Sequence, residues 1–354
     1  MSKLGPKPAD DCRYDIVALG EVMLRFDPGD SRIAAADSFK IWEGGGEYNV
    51  AHGLSHCFGM KAGFATALVD NALGRLIEHR MLAGGVDTRL IKWLPDDGIG
   101  ESRRNSIYFL ERGFGLRPAM GVFDRGHSAI AQVKSGAFDW DRLFGHSGVR
   151  WFHSGGIMAG LSLESSLVLI EAMKTARQYG VTVSYDLNYR PSLWKRFGGI
   201  EKAKLVNREL LKYVDVLFGL ESLEHYSSRD QIHRFRESMA RTAKTYPQLK
   251  IIASSIRFIK SANFHDWSGL ILHDGDFLEG MCFEDLGVYD RVGAGDGFAA
   301  GIIYGLLNGA DVQESLNFGV AHGALVMTTP GDTTMATLQD VENVLHGRGI
   351  GVLR

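Results

Sequence analysis

The stretch Asp290-Arg291-Val292-Gly293-Ala294-Gly295-Asp296-Gly297-Phe298-Ala299-Ala300-Gly301 carries more local information than any other part of the chain. It follows a β-like run, Phe277–Phe283, and opens an apolar helix that runs toward Asn308. Gly293, Ala294 and Gly295 have small or absent side chains, so successive backbone N–H groups can converge on one point. At a helix start those groups have no partners, and the macrodipole adds about half a positive charge. The combination predicts an anion hole suited to the γ-phosphate of a nucleotide. Asp296 sets a carboxylate beside it, which repels a resting phosphate but can take the proton of an attacking hydroxyl. The same residues also fit a helix cap or first-turn acid behind a glycine turn. A dinucleotide fingerprint would follow the first strand of a βαβ unit. The first strand here runs into Gly20-Glu21-Val22 without GxGxxG, and the chain has no GxxxxGK[ST].

Outward from this stretch the chain alternates. Short apolar runs recur at Asp15–Leu19, Gly63–Leu68, Val149–His153, Val181–Tyr185, Val214–Phe218 and Lys250–Ala253, with helical periodicity at Leu163–Tyr179, Lys202–Tyr213 and Arg229–Thr245. Strand–helix alternation implies a mostly parallel sheet flanked by helices on both faces, an α/β fold. Two stretches, 25–42 and 103–130, lack helical period; the second holds alternating pieces at Ser106–Leu110 and Met120–Asp124. They read as a small β flap, or lid, over one end of the main sheet, or as surface loops of a length uncommon in compact domains.

Composition narrows the class. The 354 residues are 45% hydrophobic and 23% charged, which excludes disorder and fibrous architectures. The length suits about two domains, or one large α/β domain with an insertion. The formal net charge of −3 gives no reason to expect nucleic acid or an anionic membrane as partner. Three cysteines without CxxC spacing argue for a reducing, cytoplasmic setting. The N-terminus lacks a signal-peptide core, and Phe298–Leu307 falls short of the ~20 apolar residues that span a bilayer. The histidines show no paired metal-ligand spacing.

Asp290–Gly301 resembles the C-terminal signature of the ribokinase-like (phosphofructokinase B type) carbohydrate kinases. A second motif agrees: Gly44-Gly45-Gly46-Glu47-Tyr48-Asn49, running on to Gly59, resembles the family's N-terminal glycine segment. The resemblance covers about 14–345 and implies one ribokinase-like kinase domain with the β lid inserted. It implies Asp296 as catalytic base, the amides of Gly293, Ala294 and Gly295 as anion hole, and Gly44, Gly45 and Asn49 on sugar hydroxyls. Asp186-Leu187-Asn188-Tyr189-Arg190, with Leu193-Trp194, is similar to a segment of 2-keto-3-deoxygluconate kinases, as is the flap segment Gly121–Ala129. From these, Asp186, Asn188 and Arg190 are expected on the substrate from the sheet edge, and Tyr108, Phe123 and Arg125 from the flap. A guanidinium meets a carboxylate with two parallel hydrogen bonds, which suits a sugar acid; either arginine alone also fits a packed or surface-paired residue.

The implied reaction is ATP-dependent phosphorylation of the terminal 6-hydroxyl of 2-keto-3-deoxygluconate, with Mg²⁺. Alternatives are a fructokinase, a 5-dehydro-2-deoxygluconokinase, or a catalytically idle sugar or nucleotide binder on the same fold. The family's Asn-x-x-Glu is absent after Phe218, where Gly219-Leu220-Glu221-Ser222-Leu223-Glu224 stands, leaving Glu224 as a candidate metal ligand. Ser254-Ser255-Ile256-Arg257 replaces the family's small Thr-x-Gly stretch, so Ser255 and Arg257 are expected near the nucleotide. Asn317 and Ala321 are expected near the adenine. Asp290 with the Val292 carbonyl resembles a monovalent-cation (K⁺) site. A homo-oligomer formed through the lid is implied in the same way.

Overall fold

A computed structural model describes residues 4–220 and 232–348. Its strands, in chain order, are β1 (Tyr14–Leu19), β2 (Met23–Asp27), β3 (Lys40–Gly44), β4 (Ala62–Val69), β5 (Ile91–Leu94), β6 (Ile107–Glu111), β7 (Met120–Asp124), β8 (Val149–Gly155), β9 (Thr182–Asp186), β10 (Val216–Phe218), β11 (Ile251–Ile259), β12 (Phe264–His273), β13 (Asp276–Glu279) and β14 (Phe283–Gly287). The helices are α1 (Gly46–His52), α2 (Ala72–Ala83), α3 (Gly156–Leu161), α4 (Leu163–Gln178), α5 (Pro191–Trp194), α6 (Gly199–Leu211), α7 (Ile232–Thr245), α8 (Ala294–Leu307), α9 (Val312–Val326) and α10 (Leu338–Leu345).

The main sheet runs β13-β12-β11-β10-β9-β8-β1-β4-β5, with β14 also paired to β12. From β5 to β11 every pairing is parallel; β12 turns antiparallel. Alternation in β1 divides the core into two layers. Val17 and Leu19 join the buried side chains of α4 and α6, while Ile16 and Ala18 join those of α8 and α9. The chain leaves β1 toward β4 on one side and later returns to its other side as β8. The carboxyl end of β1 is therefore a topological switch point, where a crevice opens in sheets of this kind.

Glycine also sets the α8–α9 spacing. A Cβ on Gly301 would lie 2.5 Å from the Phe318 carbonyl oxygen, and one on Gly323 would lie 2.8 Å from that of Ala294. Part of the chain's glycine content, 44 of 354 residues, thus serves a close helix–helix seam.

The two non-helical stretches form a second sheet, ordered β3-β2-β6-β7. It begins at Met23 and extends to Gly44, two residues beyond the expected bounds on each side. The run Phe277–Phe283 divides into β13 and β14: the Gly280 N–H still donates to the Gly269 oxygen at 2.9 Å in the β12–β13 register, and the register shifts before Phe283 pairs with Trp267. Ser254–Arg257 lies within β11, which continues in register with β12 as far as Ile259. Among the described residues no helix is long and apolar enough to cross a membrane.

Candidate active site

Helix α8 starts where its glycines require it. Gly293, the N-cap, has φ +81°, and a Cβ there would sit 2.0 Å from the Asp332 carbonyl oxygen, so no other residue fits. Gly295 is exposed, with nothing within 4 Å of the position its Cβ would take. The first turn of α8 is therefore open at Gly295, its amides lack the helical partners that later turns have, and Asp296 follows immediately.

Asp296 is tied to α1. Asn49 donates from Nδ2 to Asp296 Oδ2 at 2.7 Å, and its Oδ1 accepts the Gly45 N–H at 3.2 Å. The glycine triplet ahead of α1 is explained by neighbouring protein. A Cβ on Gly44 would meet Asp332 Oδ2 at 2.3 Å, and one on Gly45 would meet the Glu21 carbonyl oxygen at 2.0 Å. At Gly46 the space is shared by Asn188 Nδ2 at 3.2 Å and Asp296 Oδ1 at 3.6 Å. Gly46, not one of the two expected glycines, therefore borders the Asp296 carboxylate.

Asp186 ends β9, and its Oδ1 accepts the Asn188 N–H at 3.1 Å, which holds Asn188 at φ +28°. Burial pushes the Asp186 carboxyl up to about 6, with Arg190 opposing the shift. Burial also raises Asp296 well above the usual carboxylate range; the Asn49 hydrogen bond and Arg190 oppose this, while Asp186 and Glu47 add to it. Arg190 is exposed and extended (φ −125°, ψ 106°), as the following proline requires. Arg257 on β11 is pushed down to about 10 by burial, with Arg291 and Arg190 adding to the effect. Arg190 thus lies within electrostatic reach of both Asp186 and Asp296, and Arg257 within reach of Arg190 and Arg291.

The small sheet contributes differently from expectation. Tyr108 is buried, its hydroxyl donates to Asp332, and its ring stacks on Phe123 at 5.1 Å. Phe123, 54% exposed, is therefore the aromatic surface available to a ligand. Arg125 donates from Nε and Nη2 to Glu21 Oε2, the Nε contact at 2.9 Å. Glu21 is buried at the end of β1, and its Oε1 accepts the Ser106 hydroxyl at 2.7 Å. Both flap residues are held by protein groups that the sequence reading did not single out.

Two expectations are corrected. Ala321 is completely buried in the core of α8 and α9, so it offers no surface to an adenine. Asp290, expected as a monovalent-cation ligand, is buried and bonded to the guanidinium of Arg25, so its oxygens do not fit an exchangeable ion. Asn317 is half-buried, and its Oδ1 accepts the Met281 N–H at 2.9 Å. Ser255 lies opposite Gly269 in the β11–β12 ladder. Glu224 lies outside the described residues.

Glu47 was quoted in the glycine motif without a role. It is buried in the first turn of α1, accepts the Met158 N–H at 3.0 Å, and is pushed to about 7 chiefly by burial. The signal for Glu21 was its position, directly after the first strand and at the switch point. Nothing local marked Asp332.

Comparison with known proteins identifies the family. The pfkB family carbohydrate kinase profile matches residues 149–338. The chain is 29% identical to a 2-dehydro-3-deoxygalactonokinase of Haloferax volcanii, over 96% of this chain and 99% of that one. It is 27% identical to a 2-dehydro-3-deoxygluconokinase of Bacillus subtilis, over 90% and 91%. The crystal structure of a 2-dehydro-3-deoxygluconokinase from Thermotoga maritima superposes with a TM-score of 0.84 at 35% identity, covering 94% of this chain and 99% of the other. The protein belongs to the pfkB family of carbohydrate kinases.

Proposed function

We propose that this chain is an ATP-dependent kinase of a 2-keto-3-deoxy sugar acid, transferring the γ-phosphoryl group to the terminal 6-hydroxyl. The observation that carries the reading is the position of Asp296: it directly follows the exposed amides of α8 and is held there by Asn49. In this reading Asp296 takes the proton of the 6-hydroxyl as its oxygen bonds to the γ-phosphorus. The bond from that phosphorus to the β-phosphate oxygen breaks, and ADP leaves. The amides at Gly293–Gly295 stabilise the charge on the transferring group, which is where phosphoryl transferases gain most of their rate. Magnesium accompanying the nucleotide supplies further charge neutralisation.

Residues 14–345 form the kinase domain, and the small sheet built from 25–42 and 103–130 serves as its lid, excluding water that would otherwise consume ATP. Arg190 and Arg125 receive the carboxylate, Phe123 covers the sugar, and Asp186 and Asn188 order its hydroxyls. Support comes from the Arg190 guanidinium acting on both Asp186 and Asp296 and from relatives named for 2-dehydro-3-deoxy sugar acids. Edge strand β7, with Met120 and Val122 exposed, is the surface through which we propose that the lid pairs with a second copy.

The Glu21–Arg125 pair favours one second reading. An arginine already neutralised by a carboxylate suits a neutral ketose. A coupled ADP-release assay across 2-keto-3-deoxygluconate, 2-keto-3-deoxygalactonate, 5-dehydro-2-deoxygluconate and fructose separates the readings. Preference for fructose overturns the sugar-acid assignment, and ATP turnover indifferent to every sugar overturns the kinase assignment.

A further inference from the structure

Arg25 is completely buried in the middle of β2, and its register partner on β6 is Tyr108. Its Nη1 donates to Asp332 Oδ1 at 2.9 Å; its Nη2 donates to Asp290 Oδ2 and, at 3.1 Å, to Asp27 Oδ2. The three carboxylates come from separate segments: β2 itself, the loop ahead of the anion hole, and the turn after α9. Two of them, Asp290 and Asp332, are continuous with the site. Asp290 Oδ1 accepts the Val292 N–H at 3.2 Å, one residue before Gly293. The Asp332 carbonyl oxygen fills the space beside Gly293, and the remaining oxygen of its carboxylate accepts the Tyr108 hydroxyl.

We propose that the Arg25 guanidinium occupies the place of the monovalent cation expected at Asp290, making the enzyme independent of potassium, and that Arg25 is a positioning residue coupling the small sheet to the anion hole. Potassium would need oxygen lone pairs directed at it. At Asp290 and Asp332 those lone pairs point at N–H and O–H groups, and the guanidinium among them is tethered to β2, so no ion can displace it. Unpaired, the three buried carboxylates would repel one another; one planar cation with several donors satisfies all three. Because Arg25 and Tyr108 both belong to the small sheet and both bind Asp332, a shift of that sheet moves the peptide against which Gly293 is packed.

The kinetic arm of the test rests on the kinase reading; the thermal arm does not. Wild-type protein is assayed by ADP release with 2-keto-3-deoxygluconate in potassium chloride and in tetramethylammonium chloride at matched ionic strength, and its unfolding midpoint is read in both. The expected result is equal turnover and an unchanged midpoint, since an ion bound only by the folded state would raise it. Potassium activation of about fivefold or more, the low end of an effector's coupling, overturns the proposal, as does a potassium-specific rise in midpoint. Should the wild type turn over no sugar, the kinase reading fails and the midpoints alone decide.

Arg25→Ala leaves the carboxylates without their cation. Turnover is expected to fall ~10²-fold, the scale of a reacting geometry displaced by about 1 Å, and to recover in part with methylguanidinium or potassium. A purely structural role gives no such recovery, and undiminished turnover without added cation overturns the positioning role. If that variant does not fold, Arg25→Lys decides: it keeps the charge but loses the fork, so reduced turnover at a near-native midpoint supports the proposal and wild-type turnover overturns it.

Discussion

Asn49 Nδ2 lies 2.7 Å from Asp296 Oδ2, and this bond joins α1, behind the glycine turn, to α8, whose first turn is the proposed anion hole. A donated hydrogen bond favours the ionised carboxylate, while burial, Asp186 and Glu47 favour the protonated one and prevail. A base must be deprotonated to act. The acidic limb of kcat/KM is therefore expected above the ordinary carboxylate range of roughly pH 4. Asn49→Leu removes the donor and should carry that limb to higher pH. A pH–rate profile whose limb stays in place in this variant would exclude Asp296 as the titrating base.

Asp296→Asn keeps the shape but cannot accept the hydroxyl proton, so kcat should fall by ~10²–10⁴. Stability should move the other way. The folded-state pKa is raised, so ionisation costs stability as pH rises from the unfolded value toward the folded one. In mildly alkaline buffer the variant should therefore melt above wild type. Retention of more than about half the wild-type rate would remove Asp296 from the chemistry.

The two anion-hole glycines should respond differently to substitution. Gly293→Val meets a left-handed φ of +81° and the Asp332 carbonyl oxygen, so it is expected to reduce stability and activity together. Gly295→Val has open space for its methyl groups and should fold with a native circular dichroism spectrum. Those methyls would stand over the amides, so nucleotide turnover should collapse. Wild-type kinetics in Gly295→Val would mean that the phosphate is received elsewhere.

What the sequence disclosed, and what it withheld, divides along one physical line. α8, its glycines and Asp296 were legible because an anion hole is local: a turn, a helix start and a first-turn acid are adjacent in the chain. β9 with Asp186 and Arg190 was legible for the same reason. Glu21, Arg25 and Asp332 went unrecognised because each acts through a partner far along the chain, at Arg125, Asp290 and Tyr108. In Met23–Asp27 the polar Arg25 and Asp27 are both buried, and alternation alone assigns such residues to solvent. Ser254–Arg257, expected near the nucleotide, lies inside β11, a placement that its pairing with β12 fixes and that no local pattern announced. Ala321 was placed by analogy with a helix whose exposed face depends on what packs against it, and α8 packs there.

Acid should weaken the fold through its buried histidines. Burial depresses His52 and His153 to about 3 and His322 to about 4. Their folded-state values lie below the unfolded one, so their contribution is complete above about pH 6.5 and is lost as pH falls toward the folded values. At about pH 5 each accounts for up to roughly 2 kcal/mol, with protonation confined to the unfolded chain. His52→Phe removes one such group, whose Nδ1 has no partner among the described residues. Urea midpoints at about pH 7.5 and about pH 5 should converge in this variant relative to wild type. An unchanged difference would mean that His52 does not titrate on unfolding.

Arg190 is the residue we propose to decide what kind of sugar the site takes. It is exposed, projects from an extended residue just beyond β9, and its guanidinium bonds only to the Tyr189 carbonyl oxygen, at 3.3 Å, among the described contacts. Arg125, by contrast, is already held by Glu21. The substrate carboxylate should therefore fall chiefly to Arg190. A charged hydrogen bond of this kind contributes ~1.5–3 kcal/mol, so Arg190→Ala should lower kcat/KM on 2-keto-3-deoxygluconate by about ten- to 150-fold. Arg190→Lys should recover only part, because an ammonium cannot make the parallel pair. One effect confounds the comparison: Arg190 also favours ionised Asp296, so its loss raises that base further and slows every substrate near neutrality. The remedy is to compare acid and neutral sugar at alkaline pH, where Asp296 is ionised in both proteins. Under those conditions the loss should persist on the acid and vanish on fructose. Equal losses on both sugars at high pH would make Arg190 a structural residue and return the choice to a neutral-sugar kinase.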